Sequence, residues 1–408
     1  MPASGYSGTN SDLLQKMTRL LKQILKKLII NGIYAAFPVI CLLSAPYLIL
    51  DSYIRRKLHI KPRIIWGPTP IINIATNAAA DRLTGYRSDT LVYETYYITG
   101  EFTYSMEAHM QKKFGPYVVP LAVFLWSCLR YDIFQFFFDG GFLGRTPFRQ
   151  YELPYLKWIG KKIVVSTYGA DVRVESITEA LGKYHGCMYC KVRGKGCICD
   201  PERAERNIQH ISKYAHALLS MGDMNEYVPG SRKDIFFWAI DTSQIPFVGQ
   251  PDTDDPILVL HAPNHPDYKG TCHLEEAIEA LRREGLNVEL LLVQKVPNKE
   301  ALDIYKKAHI VAEQFLIGWY GYFAVEAMAL GKPVITYIRK PQEYLPKGIQ
   351  CPVINADPDS LKDALRTLIK DPALRQTLGE QGRRYVEEVH SFQTIGHQMH
   401  SLYQELWK

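Results

Sequence analysis

Two alternating series of short apolar runs and helical-period segments, separated by one acidic, turn-rich stretch, constrain this 408-residue chain more than any other feature. In the first series IIWGP (64–68), DTLVYETYYI (89–98), YDIFQFFFDGG (131–141) and KKIVVSTYGADVR (161–173) have the pattern of strands, with helices over 72–83, 106–113 and 205–218. The second series restarts at ILVLHAP (257–263) and runs through VELLLVQ (288–294), HIVAEQF (309–315), PVITYI (333–338) and PVINAD (352–357). Near-continuous apolar runs suit strands covered on both faces, and parallel neighbours need a helical crossover between them. The pattern predicts an α/β chain with two Rossmann-like domains facing a cleft. The domains are expected at 63–248 and 256–385, joined by GQPDTDDP (249–256), with 386–408 as a C-terminal helix packing back on the first domain. In such sheets ligands bind beyond the carboxyl ends of the strands.

Residues 1–62 stand outside this pattern. Large apolar residues at 13, 14, 17, 20, 21, 24, 25 and 28 form a one-face stripe backed by Lys and Arg. A helix built this way lies on an anionic membrane surface. Leu28 to Leu50 then runs 23 residues without a charge, enough to cross a hydrocarbon core of ~30 Å. Both flanks of the run are basic. Residues 1–63 hold ten Lys/Arg against Asp12 and Asp51, a net +8 that leaves −2 for the remainder of a +6 chain. Positive flanks favour the cytoplasmic side, and Asn31, Pro38, Ser44 and Pro46 interrupt the run. A kinked, re-entrant or shallow anchor is expected rather than a straight span, with the domains on the cytoplasmic face. The near-neutral body argues against nucleic acid as a partner.

In GWYGYFAVEAMALGKPVI (318–335) a glycine-flanked turn opens an apolar helix that carries one carboxylate, Glu326. A helix N-terminus presents unpaired N–H groups and the positive end of its dipole, a seat for phosphate. Gly321, Tyr322 and Phe323 would supply the amides, and Glu326, about one turn further in, would accept from a ribose diol. The loop HAPNHPDYKGT (261–271) would set the Lys269 ammonium and Gly270 beside the same phosphates. Together these residues make a site for a nucleoside diphosphate with an appended group.

The run 318–335 resembles the signature of the retaining family-4 glycosyltransferases of the GT-B fold. There a Glu-Pro-Phe-Gly turn leads into a helix with a second Glu and then Ala-Met-Ala-x-Gly-x-Pro-Val-Ile. Glu326 stands at the second Glu, and Trp319-Tyr320-Gly321 at Pro-Phe-Gly. YKG (268–270) looks like the family's Lys-Gly phosphate clamp, and TYGADVR (167–173) like its His-Gly-x-Asp-x-Arg loop. The resemblance, over roughly 63–408, implies a nucleotide-sugar donor held by the second domain, an acceptor held by the first, retention of configuration and no catalytic metal. It implies catalytic roles for Asp171, Lys269 and Glu326. Donor contacts would come from His265, Lys269, Gly270, Gly321, Tyr322, Phe323 and Glu326, and acceptor contacts from Tyr168, Asp171 and Arg173. Three positions depart from the pattern. Gly318 replaces the first Glu, leaving Glu313 or Gln314 to reach the sugar. Pro263 falls where the clamp's partner arginine stands, with His265 as the substitute, and Tyr168 replaces a histidine.

An insertion at 185–200 lies outside the family pattern. Its CMYCKVRGKGCICD sets Cys187, Cys190, Cys197 and Cys199 as two close pairs around a basic turn. Four thiolates suit a structural zinc, and with every position filled a catalytic role for the metal is not expected. Unligated or disulfide-bonded cysteines and an iron–sulfur cluster are the alternatives. The whole reads as a membrane-associated glycosyltransferase that serves a lipid-linked or other glycan acceptor in surface polysaccharide or glycan assembly. A nucleotide-sugar epimerase and a catalytically silent scaffold subunit of the same fold are the other readings.

Overall fold

The computed structural model describes residues 8–96, 99–191, 200–253 and 255–408. The first six strands, β1 (Arg63–Trp66), β2 (Arg87–Val92), β3 (Tyr104–Ser105), β4 (Ile133–Phe137), β5 (Lys162–Ser166) and β6 (Ala217–Leu219), form one sheet in the order β3-β2-β1-β4-β5-β6. The next five, β7 (Ile257–His261), β8 (Val288–Leu292), β9 (Ile310–Ala312), β10 (Val334–Thr336) and β11 (Ile354–Asn355), form a second in the order β11-β10-β9-β7-β8. All pairings between named strands are parallel. β4, IFQFF, is buried along its whole length because helices cover both faces. Strand order reverses between β1 and β4 and again between β7 and β9. At each reversal the loops leave in opposite directions and open a crevice.

The chain crosses between domains twice. Ile240 donates to the His390 carbonyl (2.9 Å) and accepts from Phe392 (3.1 Å), so the outgoing and returning segments pair. The His390 ring lies between the Tyr320 hydroxyl (3.0 Å) and the Trp238 carbonyl (3.1 Å). Burial pushes its pKa down to about 4, so it is neutral there. The last helix, Phe392–Leu406, lies on Ile72–Leu83 of the first domain. Tyr403 reaches the buried Asp81 (3.1 Å) and Gln135 (2.8 Å), and the Trp407 indole donates to the Ile60 carbonyl (3.0 Å).

Of the expected re-entrant or shallow anchor, the re-entrant form is not the one the chain adopts. Gly8–Lys57 is one continuous helix containing Pro38 and Pro46, about 75 Å long at 1.5 Å per residue. A helix that never turns back cannot dip and return. Packing is the reason: Phe37, Cys41, Ala45, Leu48 and Ser52, spaced by four and three, bury one stripe against the first domain. Phe37 meets the rings of Phe124 and Phe148, and the Tyr155 hydroxyl donates to the Cys41 carbonyl (2.8 Å). Lower down, Arg55 (3.2 Å), Arg63 (2.9 Å) and Lys161 (3.5 Å) converge on the buried Asp132. The other side of the helix exposes Val39, Ile40, Leu42, Leu43, Tyr47 and Leu50, with Leu43 77% accessible.

Candidate active site

At the switch point of the second sheet, the loops after β7 and β9 face each other. The first makes a single turn, Pro266–Lys269, and leaves it through Gly270 at φ +83. A Cβ at Gly270 would lie 3.0 Å from Leu316 Cγ in a backbone region that side chains avoid, so glycine is required. Phe315 donates to the Lys269 carbonyl (2.9 Å) and ties the two loops together. His261, wholly buried, bridges the Ala312 carbonyl (2.7 Å) and the Thr271 hydroxyl (2.8 Å). Burial pushes its pKa down to about 4, making it a neutral bracket beneath the loop.

Glu313 organises the turn from below. Fully buried, it accepts from Lys269 Nζ (2.8 Å), from the Gly321 amide (2.9 Å) and from Thr336 Oγ1 (3.3 Å). Removing one partner of such a buried pair costs about 3–5 kcal/mol, because the other charge is left unpaired. Glu313 therefore holds the clamp lysine in place. Gln314 is likewise buried and donates to the Trp319 carbonyl, and neither residue lines the cavity around Glu326. The Gly321 amide, engaged by Glu313, is not available to phosphate. Tyr322 and Phe323 stand in the first turn of the helix Tyr322–Ala329, where N–H groups have no intrahelical acceptor.

Glu326 is 4% accessible and accepts from Asn298 Nδ2 (2.6 Å). Burial pushes its carboxyl up to about 7, and the Asn298 bond opposes part of that rise. It lines a cavity of about 260 Å³ with Lys269, Tyr322 and Phe323, together with Ile72 and Asn73 from the first domain. Lys295 and Asn298, from the segment after β8, complete the wall. Lys295 adopts φ +55, uncommon for a residue with a side chain. It was not legible in the sequence, because it enters from a different loop than the one where the family's second cation sits. His265 is exposed and is not part of this lining.

The place of the family's first Glu is physically filled. Gly318 has φ +90, and a Cβ there would run into the Arg339 guanidinium. Arg339 donates to the carbonyls of Ile317 (3.0 Å) and Tyr184 (2.9 Å). Trp319 and Tyr320, stacked at 4.1 Å and buried, anchor the turn against Phe236 and His390.

The first domain corrects two expected acceptor contacts. Asp171 is buried, and its oxygens accept from the amides of Tyr168 (3.0 Å), Gly169 (2.8 Å) and Phe138 (3.2 Å). Burial first, and the nearby Asp139 second, push its carboxyl up to about 7. It shapes the loop and ties it to the end of β4. Arg173 forms a bidentate pair with Asp223 (2.7 and 2.8 Å), both buried. Tyr168 does reach an open space: a cavity of about 420 Å³ at the β1/β4 switch point. Two carboxylates line it, Glu94 at the rim and Asp139, the latter held by the Thr69 hydroxyl (2.8 and 3.1 Å) and pushed upward in pKa by burial. The DGG that ends the β4 run was the available signal for Asp139, and the family motif drew attention to Asp171 instead.

Cys187 is buried and Cys190 half-buried on one turn, where the Cys190 amide donates to the Cys187 carbonyl (3.4 Å). Cys197 and Cys199 lie outside the described residues. This part of the insertion reaches the loop that carries Lys269: Lys191 pairs with Asp267 (2.9 Å), and the Tyr189 ring meets His273 at 5.5 Å.

Residues 257–385 match the family of Glycosyl transferases group 1. The chain superposes on sucrose-phosphate synthase from Thermosynechococcus elongatus with a TM-score of 0.54 at 14% identity, covering 85% of this chain and 99% of that one. It superposes on Anabaena HepE in complex with UDP-glucose with a TM-score of 0.53 at 12% identity, covering 84% and 100%. An alpha-glucosyltransferase in complex with UDP and a 13-mer DNA gives 0.52 at 10% identity, over 84% and 100%. At these identities the likeness is one of fold, which is GT-B. No curated protein sequence matches the chain.

Proposed function

We propose that this chain, a GT-B glycosyltransferase whose second domain is of the group 1 family, moves a sugar from a nucleotide donor to a lipid-linked or other glycan acceptor at the cytoplasmic face of a membrane, with retention of configuration. The observation that carries this reading is the interdomain cavity, where Lys269, Lys295, the first turn of Tyr322–Ala329 and Glu326 converge. The two ammonium groups and the Tyr322 and Phe323 amides would take the diphosphate, and Glu326 the ribose hydroxyls. Charge builds on the leaving diphosphate as the glycosidic bond breaks, and a single pre-placed donor is worth about 3 kcal/mol there. These cations and amides supply that stabilisation without a catalytic metal. The acceptor would enter from the first domain past Tyr168 and Asp139.

The helix Gly8–Lys57 supports the membrane assignment. One stripe is spent on packing while the other stays apolar and exposed, between two basic ends. That arrangement suits a helix lying in the interface of an anionic bilayer. For the insertion, Cys187, Cys190, Cys197 and Cys199 would hold a structural zinc. The test is thermal stability of the purified chain against a panel of nucleotide sugars, followed by donor hydrolysis and transfer assays. Glu326→Ala and Lys269→Ala should each lose activity. Variants as active as the wild type would remove the site assignment, and donor isomerised without acceptor would favour an epimerase.

A further inference from the structure

Two cavities in the first domain stand back to back on one short segment. Leu143, Phe148 and Tyr151 line an apolar groove of about 430 Å³, closed on its other side by Phe37, Pro38, Cys41 and Leu42 of the long helix. Gly144, Arg145 and Arg149 line the polar cavity at the β1/β4 switch point. Leu143 is followed directly by Gly144, and Phe148 by Arg149, so the segment turns an apolar wall to one side and a cationic wall to the other.

The cationic wall carries more charge than the acids lining the cavity, Glu94 and Asp139, can balance. Arg145 pairs with Glu94 at the rim. Arg149 donates to Asn207 Oδ1 (2.9 Å), and among the described residues neither it nor Arg203 pairs with a carboxylate within 4.0 Å. Arg149 is half-buried, and its pKa is held down by burial and then by repulsion from Arg203. Asp139, the remaining acid of the cavity, accepts from Thr69 and sets one carboxylate against the two guanidinium groups. Two guanidinium groups that share a single carboxylate, Asp139, one of them partly withdrawn from water, keep an excess of positive charge and make a seat for a phosphate, which they can grip with several parallel N–H bonds. The groove beside them has no charged lining residue and opens where the helix exposes Val39, Leu42 and Leu43.

We propose that Arg149 and Arg203 bind the phosphate or diphosphate of a lipid-linked acceptor, whose hydrocarbon chain lies in the groove between the long helix and the first domain. This rests on the reading of the chain as a glycosyltransferase with a lipid-borne acceptor, and names the groups that would recognise it. A phosphate seated there would leave the carried hydroxyl near Tyr168 and Asp139, on the side of the donor cavity.

The test uses the full-length chain in detergent and measures binding of three probes: a fifteen-carbon isoprenyl diphosphate, the matching alcohol and inorganic diphosphate. The expected result is tight binding of the isoprenyl diphosphate alone, weakened at least about tenfold in Arg149→Met/Arg203→Met, with nucleotide-sugar binding unchanged. Equal binding of the isoprenyl diphosphate by wild type and variant overturns the phosphate site. Equal binding of the alcohol leaves an apolar groove and no phosphate site, and equal binding of inorganic diphosphate removes the lipid. Should the double variant not fold, Arg203→Met alone decides, since Arg203 is exposed and carries no packing. If no nucleotide sugar binds while the isoprenyl diphosphate still depends on the two arginines, the donor reading fails and this one stands.

Discussion

Glu326→Gln separates what this carboxylate does for binding from what it costs the fold. Burial raises its pKa from 4.5 to about 7. At about 1.36 kcal/mol per unit, ionising it in the folded chain is worse by about 3 kcal/mol than ionising it in the unfolded one. The folded pKa is raised, so the folded state holds the proton more tightly. The stabilisation is complete below about pH 4.5 and is lost as pH climbs through about 7. Gln is isosteric, uncharged, and can still accept from Asn298. The variant should match wild type near pH 5 and exceed it by about 2–3 kcal/mol at pH 8, read as a shift of the urea midpoint. Binding should move the other way. An ionised carboxylate accepts charge-assisted bonds from a ribose diol worth about 1.5–3 kcal/mol, so the variant's affinity for nucleoside diphosphates should fall at least about tenfold at pH 8. The gap should close toward pH 6, where wild type is itself protonated. A variant less stable at pH 8, or one whose nucleotide affinity equals that of wild type at every pH, would refute the assignment.

Lys295→Met should weaken nucleoside diphosphate binding about tenfold or more at unchanged melting temperature, because Lys295 makes no described ion pair; calorimetry with and without the substitution checks both. Gly318→Glu, which restores the family residue, should not raise activity. It should lower stability by at least about 1–2 kcal/mol from the positive φ alone, seen in urea melts. Leu42→Glu/Leu43→Glu places charge on exposed positions, so flotation with anionic vesicles should drop sharply while the melting temperature holds. If the four cysteines hold zinc as proposed, chelation should raise KM for the donor more than it lowers kcat, because the insertion touches the Lys269 loop. Unchanged kinetics and stability on chelation would refute the zinc.

The second domain was legible almost strand for strand, because its apolar runs are short, bounded by turns and separated by helical segments. The first was less so. DTLVYETYYI pairs in the sheet only as far as Val92, and KKIVVSTYGADVR only to Ser166. Glu107–Met110 is all that forms of the expected helix at 106–113. The helix Gly115–Arg130 that follows gave no signal. It holds Pro116 and Pro120 and is apolar nearly all round, and it packs on the long helix. Within the site, Lys269 and Glu326 could be proposed from local motifs. Lys295 and Asn298 could not, because they reach the cavity from a loop distant in sequence from the residues they join there, Asn298 lying 28 residues from its partner Glu326. Asp171 and Arg173 fitted a motif, and yet their polar atoms are consumed by backbone amides and by Asp223.

The departures from the family signature form one connected unit. Absence of a side chain at Gly318 leaves room for the Arg339 guanidinium, which binds the Tyr184 carbonyl at the start of the insertion. Tyr184 in turn donates to Asp359 of the second domain (2.6 Å), next to the Lys183–Asp359 pair. The insertion, fixed at that end, reaches the Lys269 loop through Gly186 against Tyr268 and Lys191 against Asp267. Glu313 holds the same lysine from beneath. A glutamate at 318 would expel Arg339 and release the insertion, and with it one of the two supports of the clamp. Under the proposed function, the residue lost for sugar contact is exchanged for a brace on the Lys269 loop, and Lys295, which lines the same cavity, would stand in for the cation missing at Pro263. Competence for diphosphate binding therefore has to be judged from the cavity, where the charges meet, and not from the signature.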